Sequence, residues 1–596
     1  MIRSHLMNSA SKVFVAGLAL TFIAACSGNG VSVNNGSDAG NPSSSDNADV
    51  VNSEQGAQES GLQAPGSQAS DTPTPNVTIS TGSASLDALV SDAQYQSASL
   101  ATSNAVLQSE QRGGAKNIIL FVGDGMGITT VTAARILAGQ RAGGTGEEHT
   151  LSWGKMPFAG LAKTYNVDAQ TADSAGTMTA MMSGVKTDAG VIGVDESVQR
   201  GQCSSQAGNE LVSALELAEI AGMSTGIIST ARITHATPAA TYAKTVERGW
   251  ENNAGLPADA VQNGCEDIAS QLVSFESRLE ARYPGLDVDG MEVAMGGGRR
   301  NFLPNSDAFN SGDTDGGVEG ARTDGIDLTA LWRQNYPDGV YITDQGGFES
   351  INANDTTHLL GLFDASHMEY EANRVNDTAG EPSLEQMTRK AIDVLDNNDR
   401  GYFLAIESGR IDHAHHAGSA FGALSETIAF ANAVEAAMQA TDPANTLIIV
   451  TADHSHVFTM GGFAKRGNPI LGLSTPIGGF APSTDSDGRP FTTLGYANGL
   501  GFRNFGENTN FDRTYTVDAD PGRKDLSSVD TQSSGFHQEV LVPLSSETHG
   551  GEDVGIYAQG PGASLISGTV EQNVIFHVMD FAADLVGKAN QVLESR

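Results

Sequence analysis

Tyr402-Phe403-Leu404-Ala405-Ile406-Glu407-Ser408-Gly409-Arg410-Ile411-Asp412-His413-Ala414-His415-His416 is the stretch on which the reading of this chain turns. Tyr402 to Ile406 is an unbroken apolar run of strand length, which predicts a buried strand. Glu407 to His416 then supplies two carboxylates and three imidazoles. Asp412 and His416 are four residues apart, so one helical turn places both on the same face. Carboxylate oxygen together with imidazole nitrogen suits a divalent metal such as zinc. Taken alone, the segment reads equally well as a solvated loop rich in histidine.

Moving outward, strands and helices alternate. Lys116–Val122 reads as a strand and Ile128–Ala138 as a helix. A helix over Asn209–Ala221 leads to a strand at Ser224–Ser229. A helix over Leu384–Leu395 leads to the strand at Tyr402–Ile406, and one over His416–Gln439 to a strand at Thr446–Val450. Val554–Ala558 is a late strand and Gln572–Val586 the last helix. This alternation predicts an α/β fold, a three-layer sandwich with a mainly parallel central sheet flanked by helices. Residues 458–543 are rich in Gly, Pro, Asn and Asp with little periodicity, and read as an inserted, crown-like excursion.

Candidate ligands fall on one edge of this map. Asp124 follows the first strand, and His235 and Thr237 follow Ser224–Ser229. Glu407 and Asp412 follow Tyr402–Ile406, and Asp453 and His454 follow Thr446–Val450. Open α/β sheets bind ligands at the carboxyl ends of their strands. A fifth source, His549 in Glu547-Thr548-His549-Gly550-Gly551, precedes the late strand. This convergence favours a metal site over a chance loop. Asp173-Ser174-Ala175-Gly176-Thr177 opens a predicted helix over Ser174–Met182. Ser174 there is either an N-cap or a nucleophile set among free backbone N–H groups. No G-x-S-x-G elbow accompanies it, so a metal would have to activate it.

The 596 residues carry a formal charge of −38 and three cysteines. Arg3 and Lys12 precede an apolar run, Val13 to Ala25, with the length of a secretory h-region. Small residues before Cys26 resemble a bacterial lipobox, which predicts a signal over residues 1–26 and a lipid on Cys26. The alternatives are an ordinary signal with a chance Cys and an uncleaved anchor. Ser27 rather than Asp after the cysteine points to the outer membrane, so the expectation is an exported, periplasmic or cell-surface lipoprotein. Residues 27–111 hold nine acidic residues and no Lys or Arg, and read as a low-complexity tether. Apolar residues recurring from Leu86 to Leu107 allow a helix at its end. In an oxidising compartment the remaining Cys203 and Cys265 form one disulfide on the simplest reading. Residues 112–596 keep a charge of −31, because the signal contributes +2 and the tether −9. That excludes nucleic-acid binding driven by general electrostatics.

Six motifs carry a resemblance: FVGDGMG, TADSAGTMTA, ARITHATPAA, ESGRIDHAHH, TADHSH and ETHGGED. Together and in this order they resemble the alkaline phosphatase family, over residues 112–596. The resemblance implies one zinc on Asp412, His416 and His549. It implies a second zinc on Asp124, Asp453, His454 and the Ser174 oxygen, and magnesium on Asp124, His235, Thr237 and Glu407. Arg248, in Glu247-Arg248-Gly249-Trp250, matches the arginine that clamps phosphate. His235 and His413 match the branch with histidine at both variable positions, which makes His413, like Asp173, a supporting neighbour. Phe363, Asp364 and Glu381 sit where some members bind calcium, with no evident partner for the last acidic ligand. The spacing of Cys203 and Cys265 also resembles a disulfide found in part of the family.

What the resemblance implies is phosphate-monoester hydrolysis through a phosphoseryl intermediate, small phosphorylated substrates, phosphate acquisition and a homodimer. With three divalent ions the implied site is about +2, within a strongly negative body. A phosphodiesterase or sulfatase of the same superfamily is the nearest rival; Arg248 and a serine nucleophile favour monoesters. A catalytically inactive, metal-holding surface lipoprotein is the rival of another class. Gly296-Gly297-Gly298-Arg299-Arg300 lacks the GK[ST] ending of a phosphate loop and reads as a tight turn. His415 and His456 read as hydrogen-bonding neighbours rather than ligands.

Overall fold

A computed structural model describes residues 84–108, 114–312, 314, 317–512, 515 and 522–596. The signal, Cys26 and the tether up to residue 83 lie outside the described residues. Contacts group Val77–Arg596 into one unit.

Ten strands form the central sheet: β1 Asn117–Gly123, β2 Phe158–Lys163, β3 Ser224–Arg232, β4 Val293–Gly297, β5 Val340–Ile342, β6 Leu359–Leu362, β7 Tyr402–Ser408, β8 Thr446–Ala452, β9 Val554–Gln559 and β10 Gly568–Glu571. Their order is β10-β2-β9-β8-β1-β7-β3-β4-β6-β5. β9 runs against both β8 and β2, and the other pairs in this sheet are parallel. The central strands β1, β7 and β8 are buried at every residue, as expected of strands covered on both faces. Their continuous Ile, Leu, Val and Phe content is the sequence cause. Ile128–Arg141, Leu384–Leu395 and Ala420–Ala440 pack together as one helical group. Ser174–Ser183, Ala214–Ile220, Val574–Ala583 and Leu585–Glu594 form another. The α/β sandwich expected from the alternating pattern is therefore the fold.

Three helices depart from the sequence reading, each for a local reason. The helix expected over His416–Gln439 is two helices, Arg410–His416 and Ala420–Ala440. Gly418, at φ +74°, ends the first, and the Ser419 side chain caps the second at Gly422. The helix expected from Asn209 begins only at Ala214, behind a Ser213/Glu216 capping box. Glu210 instead bridges to Val194. The last helix begins at Val574, turns at Asp584 with φ +55°, and continues as Leu585–Glu594. Gln572, expected to start it, donates to the carbonyl of Asp453 at 2.8 Å.

The end of the low-complexity stretch forms two helices, Ala84–Ser91 and Ala93–Gln108, and Leu86 and Leu89 join the main core. In the excursion, Phe458–Met460, Leu494–Gly499 and Val540–Pro543 make a separate three-stranded sheet. Gly298, in the left-handed region at φ +97°, turns the chain into a short 3-10 segment at Arg299–Asn301. No described helix is long and apolar enough to cross a membrane.

Candidate active site

The carboxyl edge of β1, β3, β7 and β8 gathers the candidate ligands. Asp124 directly follows β1, and Asp453 and His454 directly follow β8. Glu407 is the penultimate residue of β7, in register with Val122 and Ser229 on either side. His235 and Thr237 belong to the turn of helix at Ala236–Ala239 beyond β3. His549 arrives through a short antiparallel bridge with His456. Gly125 turns the chain after Asp124 at φ +67°, and a Cβ there would come 2.3 Å from His456 Nε2. Glycine is required at that position by both conformation and space.

Three groups of these residues have ligand atoms close enough to share an ion: Asp412, His416 and His549; Asp124, Asp453 and His454; and Asp124, His235 and Glu407. In the first group the Nε2 atoms of His416 and His549 stand 3.2 Å apart. The Nδ1 of His416 lies 2.7 Å from the Glu547 carbonyl, and that of His549 lies 2.7 Å from the Ala172 carbonyl. A carbonyl only accepts, so each Nδ1 carries the proton and each Nε2 presents a lone pair. Two lone pairs at that distance, with Asp412 Oδ1 at 3.3 and 3.5 Å from them, call for a cation between them. In the second group His454 Nε2 lies 3.3 Å from Asp124 Oδ1 and 3.4 Å from Asp453 Oδ2.

Unsatisfied atoms mark the same places. Asp124 Oδ2, Asp453 Oδ2, Glu407 Oε1, Thr237 Oγ1 and His235 Nδ1 are buried without a hydrogen bond of ordinary geometry. Buried anionic oxygens left unpaired are expensive, and a divalent cation removes that cost. Oxygen-only donors suit magnesium, and mixed oxygen and imidazole donors suit zinc. Burial and then the charges of Asp453, Asp412 and Glu407 push the Asp124 carboxyl well above its usual range. Burial pushes Glu407 up to about 7 and His454 down to about 3.

His235 is the exception within this pattern. Its Nε2 lies 3.2 Å from Arg248 Nη2. Arginine only donates, so Nε2 accepts and the proton sits on Nδ1. Ligation by His235 requires giving up either that contact or that proton.

Ser174 is the first residue of the helix Ser174–Ser183. Asp173 is the N-cap, accepting from Gly176 N, so the capping role open to Ser174 in the sequence belongs to its neighbour. The Ser174 hydroxyl is free to face the site, 3.2 Å from His454 Nε2 and 3.5 Å from Asp124 Oδ1. Arg248 is half-buried and pairs with Asp173. Its loop rests on a small core of Val191, Val194, Val246 and Trp250 that includes the Cys203–Cys265 disulfide.

Some supporting residues escaped the sequence reading. Glu547 stands in a quoted motif, yet its role emerges only in three dimensions. Its carboxylate lies 2.6 Å from His456 Nδ1, while His456 Nε2 lies 2.9 Å from Asp412 Oδ1. Against burial, Glu547 and Asp412 raise His456 to about 10. His456 falls in two further candidate ion groups, but both its nitrogens are engaged, so it is an imidazolium that holds Asp412 rather than a ligand. His415 is likewise engaged, with Thr130 Oγ1 at 3.0 Å and the Tyr496 hydroxyl at 2.8 Å. Asn166, which bonds Asp173 at 3.0 Å, gave no sequence signal. Near Phe363, the Glu381 carboxyl is buried and raised by burial and by Asp364 and Asp377. No trio of Asp, Glu, His or Cys side chains close enough to share an ion forms around it among the described residues.

An oxyanion entering this edge would meet the Arg248 guanidinium and the ion-binding groups while standing over Ser174 Oγ. That arrangement suits a hydrolase acting on a phosphorylated substrate. Comparison with known proteins agrees. The family model for alkaline phosphatase matches residues 115–585. The tissue-nonspecific alkaline phosphatase of Gallus gallus is 42% identical over 480 residues, covering 80% of this chain and 86% of that protein. The alkaline phosphatase of Gadus morhua is 42% identical, covering 80% and 93%. The chain belongs to the alkaline phosphatase family and is a hydrolase of the phosphatase class. Among solved structures, the Thermus thermophilus enzyme aligns with a TM-score of 0.55 at 22% identity, covering 82% of this chain and 98% of that one. The enzyme of the Antarctic bacterium TAB5 aligns at 0.51, also with 22% identity, covering 79% and 99%. These two speak for the fold. A histidine-to-aspartate variant of the TAB5 enzyme is described with magnesium bound in its M3 site.

Proposed function

We propose that this protein hydrolyses phosphate monoesters through a phosphoseryl intermediate on Ser174. The observation that carries the reading is the Ser174 hydroxyl, not spent on capping its helix and turned to His454 and Asp124, beside buried ligand atoms that lack partners. Asp412, His416 and His549 would hold one zinc, and Asp124, Asp453, His454 and the Ser174 oxygen a second. Asp124, Thr237 and Glu407 would hold magnesium, with His235 beside it. When bound, these ions supply Lewis acidity that lowers the serine pKa and neutralises charge on the transferring and leaving oxygens.

The chain's own groups do the rest. The helix N-terminus places Ser174 Oγ in a positive local field. Ser174 Oγ attacks phosphorus in line, forming a seryl ester and releasing the alcohol. Arg248 offers its planar fork to two phosphoryl oxygens. Water then breaks the ester bond, returning serine and inorganic phosphate. The N-terminal sequence supports an exported lipoprotein anchored through Cys26, acting on small phosphorylated molecules outside the cytoplasm for phosphate acquisition. Family resemblance supports a homodimer.

Ser174→Ala tests the mechanism. Activity on a monoester should fall on the order of a thousandfold or more, and no phosphate should be trapped on the protein. Wild-type activity in the variant would sink the serine reading. A diester hydrolysed faster than a monoester would favour the phosphodiesterase alternative, and a metal-loaded wild type inactive on both would favour the non-catalytic one.

A further inference from the structure

The excursion touches the site helix through Phe511 and Asp512. The Phe511 ring is fully buried, meeting Tyr370 edge-on at 4.8 Å between centroids and packing with Ala414 and Ala423. A Cβ on Gly422 would come 2.7 Å from that ring, so glycine at 422 leaves the space Phe511 fills. Phe511 thereby anchors the next residue. Asp512 Oδ2 accepts from Arg410 Nη2 at 2.7 Å, and Oδ1 accepts from Nη1 at 3.3 Å and from the Tyr370 hydroxyl at 2.8 Å. The Arg410 guanidinium also lies over the Tyr370 ring, 3.6 Å from its centroid.

Arg410 is the first residue of the helix that carries Asp412 and His416, and only 3% of its side chain is exposed. Among the described residues, Asp512 is its one ion-paired carboxylate. Held on two sides, the guanidinium turns Nη1 toward His413 Nδ1, at 3.2 Å. Arginine has no acceptor, so Nδ1 must accept. An imidazole whose Nδ1 accepts carries its ring proton on Nε2. The His413 ring lies 5.6 Å from that of His235, which in turn touches Arg248. One imidazole, that of His235, thus separates His413 from Arg248.

We propose that Asp512 is a positioning residue: acting through Arg410, it fixes His413 in the Nε2–H form and so sets a hydrogen-bond donor beside the phosphate site. The proposal rests on the phosphatase reading of that site. A carboxylate from the irregular excursion would then decide which nitrogen of an imidazole on the ion-binding helix bears hydrogen.

Histidine ring nitrogens labelled with 15N, with His413 assigned by loss of its signals in His413→Gln, give a readout independent of turnover. Wild type should show one protonated and one bare ring nitrogen for His413. In Asp512→Ala the pair should move toward averaged values, and kcat/KM of the metal-loaded full chain should fall roughly tenfold. Asp512→Glu should restore most of both. Unchanged ring signals or unchanged activity in Asp512→Ala overturns the proposal. A wild type without phosphatase activity would instead overturn the reading beneath it, and the ring signals would still be measurable.

Discussion

Asp173 and Arg248 are joined at 3.1 Å, and the same carboxylate starts the serine helix. Asp173 Oδ2 takes Arg248 Nη1 and Gly190 N, while Oδ1 takes Gly176 N and Asn166 Nδ2. Ser174 and Arg248, the nucleophile and the phosphate clamp of the proposed mechanism, are thus registered against one group. Asp173→Ala should weaken both. Loss of the cap costs about 1 kcal/mol of stability. A freed Arg248 should hold phosphate less well, raising KM and the inhibition constant for phosphate about tenfold. Steady-state kinetics with phosphate inhibition checks this; an unchanged inhibition constant would separate the two residues.

Chelation should destabilise the protein as well as inactivate it. The unpartnered oxygens of Asp124, Asp453 and Glu407 lie close together and buried. An ion at a hundred times its dissociation constant adds about 2.7 kcal/mol to the folded state. Calorimetry before and after chelation should show a lower Tm, recovered together with activity by zinc plus magnesium. A Tm indifferent to chelation would rule out these groups as ion holders.

A pH effect is expected at the opposite end of the sheet. Thr225 N donates to Glu292 Oε2 at 2.7 Å, and Thr225 Oγ1 donates to Glu219 Oε2 at 2.8 Å. Burial raises Glu292 from 4.5 to about 8, with Asp289 adding to the rise, and burial and Glu292 raise Glu219 as well. The folded state therefore binds a proton that the unfolded state releases near pH 4.5. Stability from this site is complete below that value, falls as pH rises toward about 8, and is level above it. Glu292→Gln, which keeps a carbonyl for Thr225, should gain stability over wild type across that window. Denaturation at several pH values would reveal it; a constant difference at all pH would refute it.

The disulfide should matter for substrate as well as for stability. Cys203 and Cys265 are 62 residues apart, and their bond shares a small core with Val246 and Trp250 on either side of Arg248. Replacing both cysteines by serine should cost about 4 kcal/mol and raise KM more than it lowers kcat. A KM equal to wild type would show that the bond supports stability alone.

Much of the fold was legible because strands such as Asn117–Gly123 and Thr446–Ala452 carry continuous apolar runs and are followed at once by chemically active residues. Asp124, Glu407, Asp453 and His454 could be found from that adjacency. The breaks at Gly418 and Asp584 were harder, because helical periodicity continues on both sides of a single left-handed residue. Glu547, Asn166 and Asp512 were not legible as site residues. Each acts by meeting a side chain far away in sequence, and nothing local distinguishes such a carboxylate or amide from a solvated one. His235 was legible as a candidate ligand, but its contact with Arg248, thirteen positions downstream, was not.

The candidate ion-binding groups are drawn from Asp124, just after the first strand, to His549 near the last strands. No shorter stretch of chain contains a complete set. During synthesis, β1 must wait for β7 and β8 before its flanks are covered, and His549 comes later still. Pairings of such long sequence separation form slowly. A nascent or truncated chain ending before residue 549 would lack one of the candidate ligands, so on the proposed chemistry full activity would certify that synthesis has passed that residue.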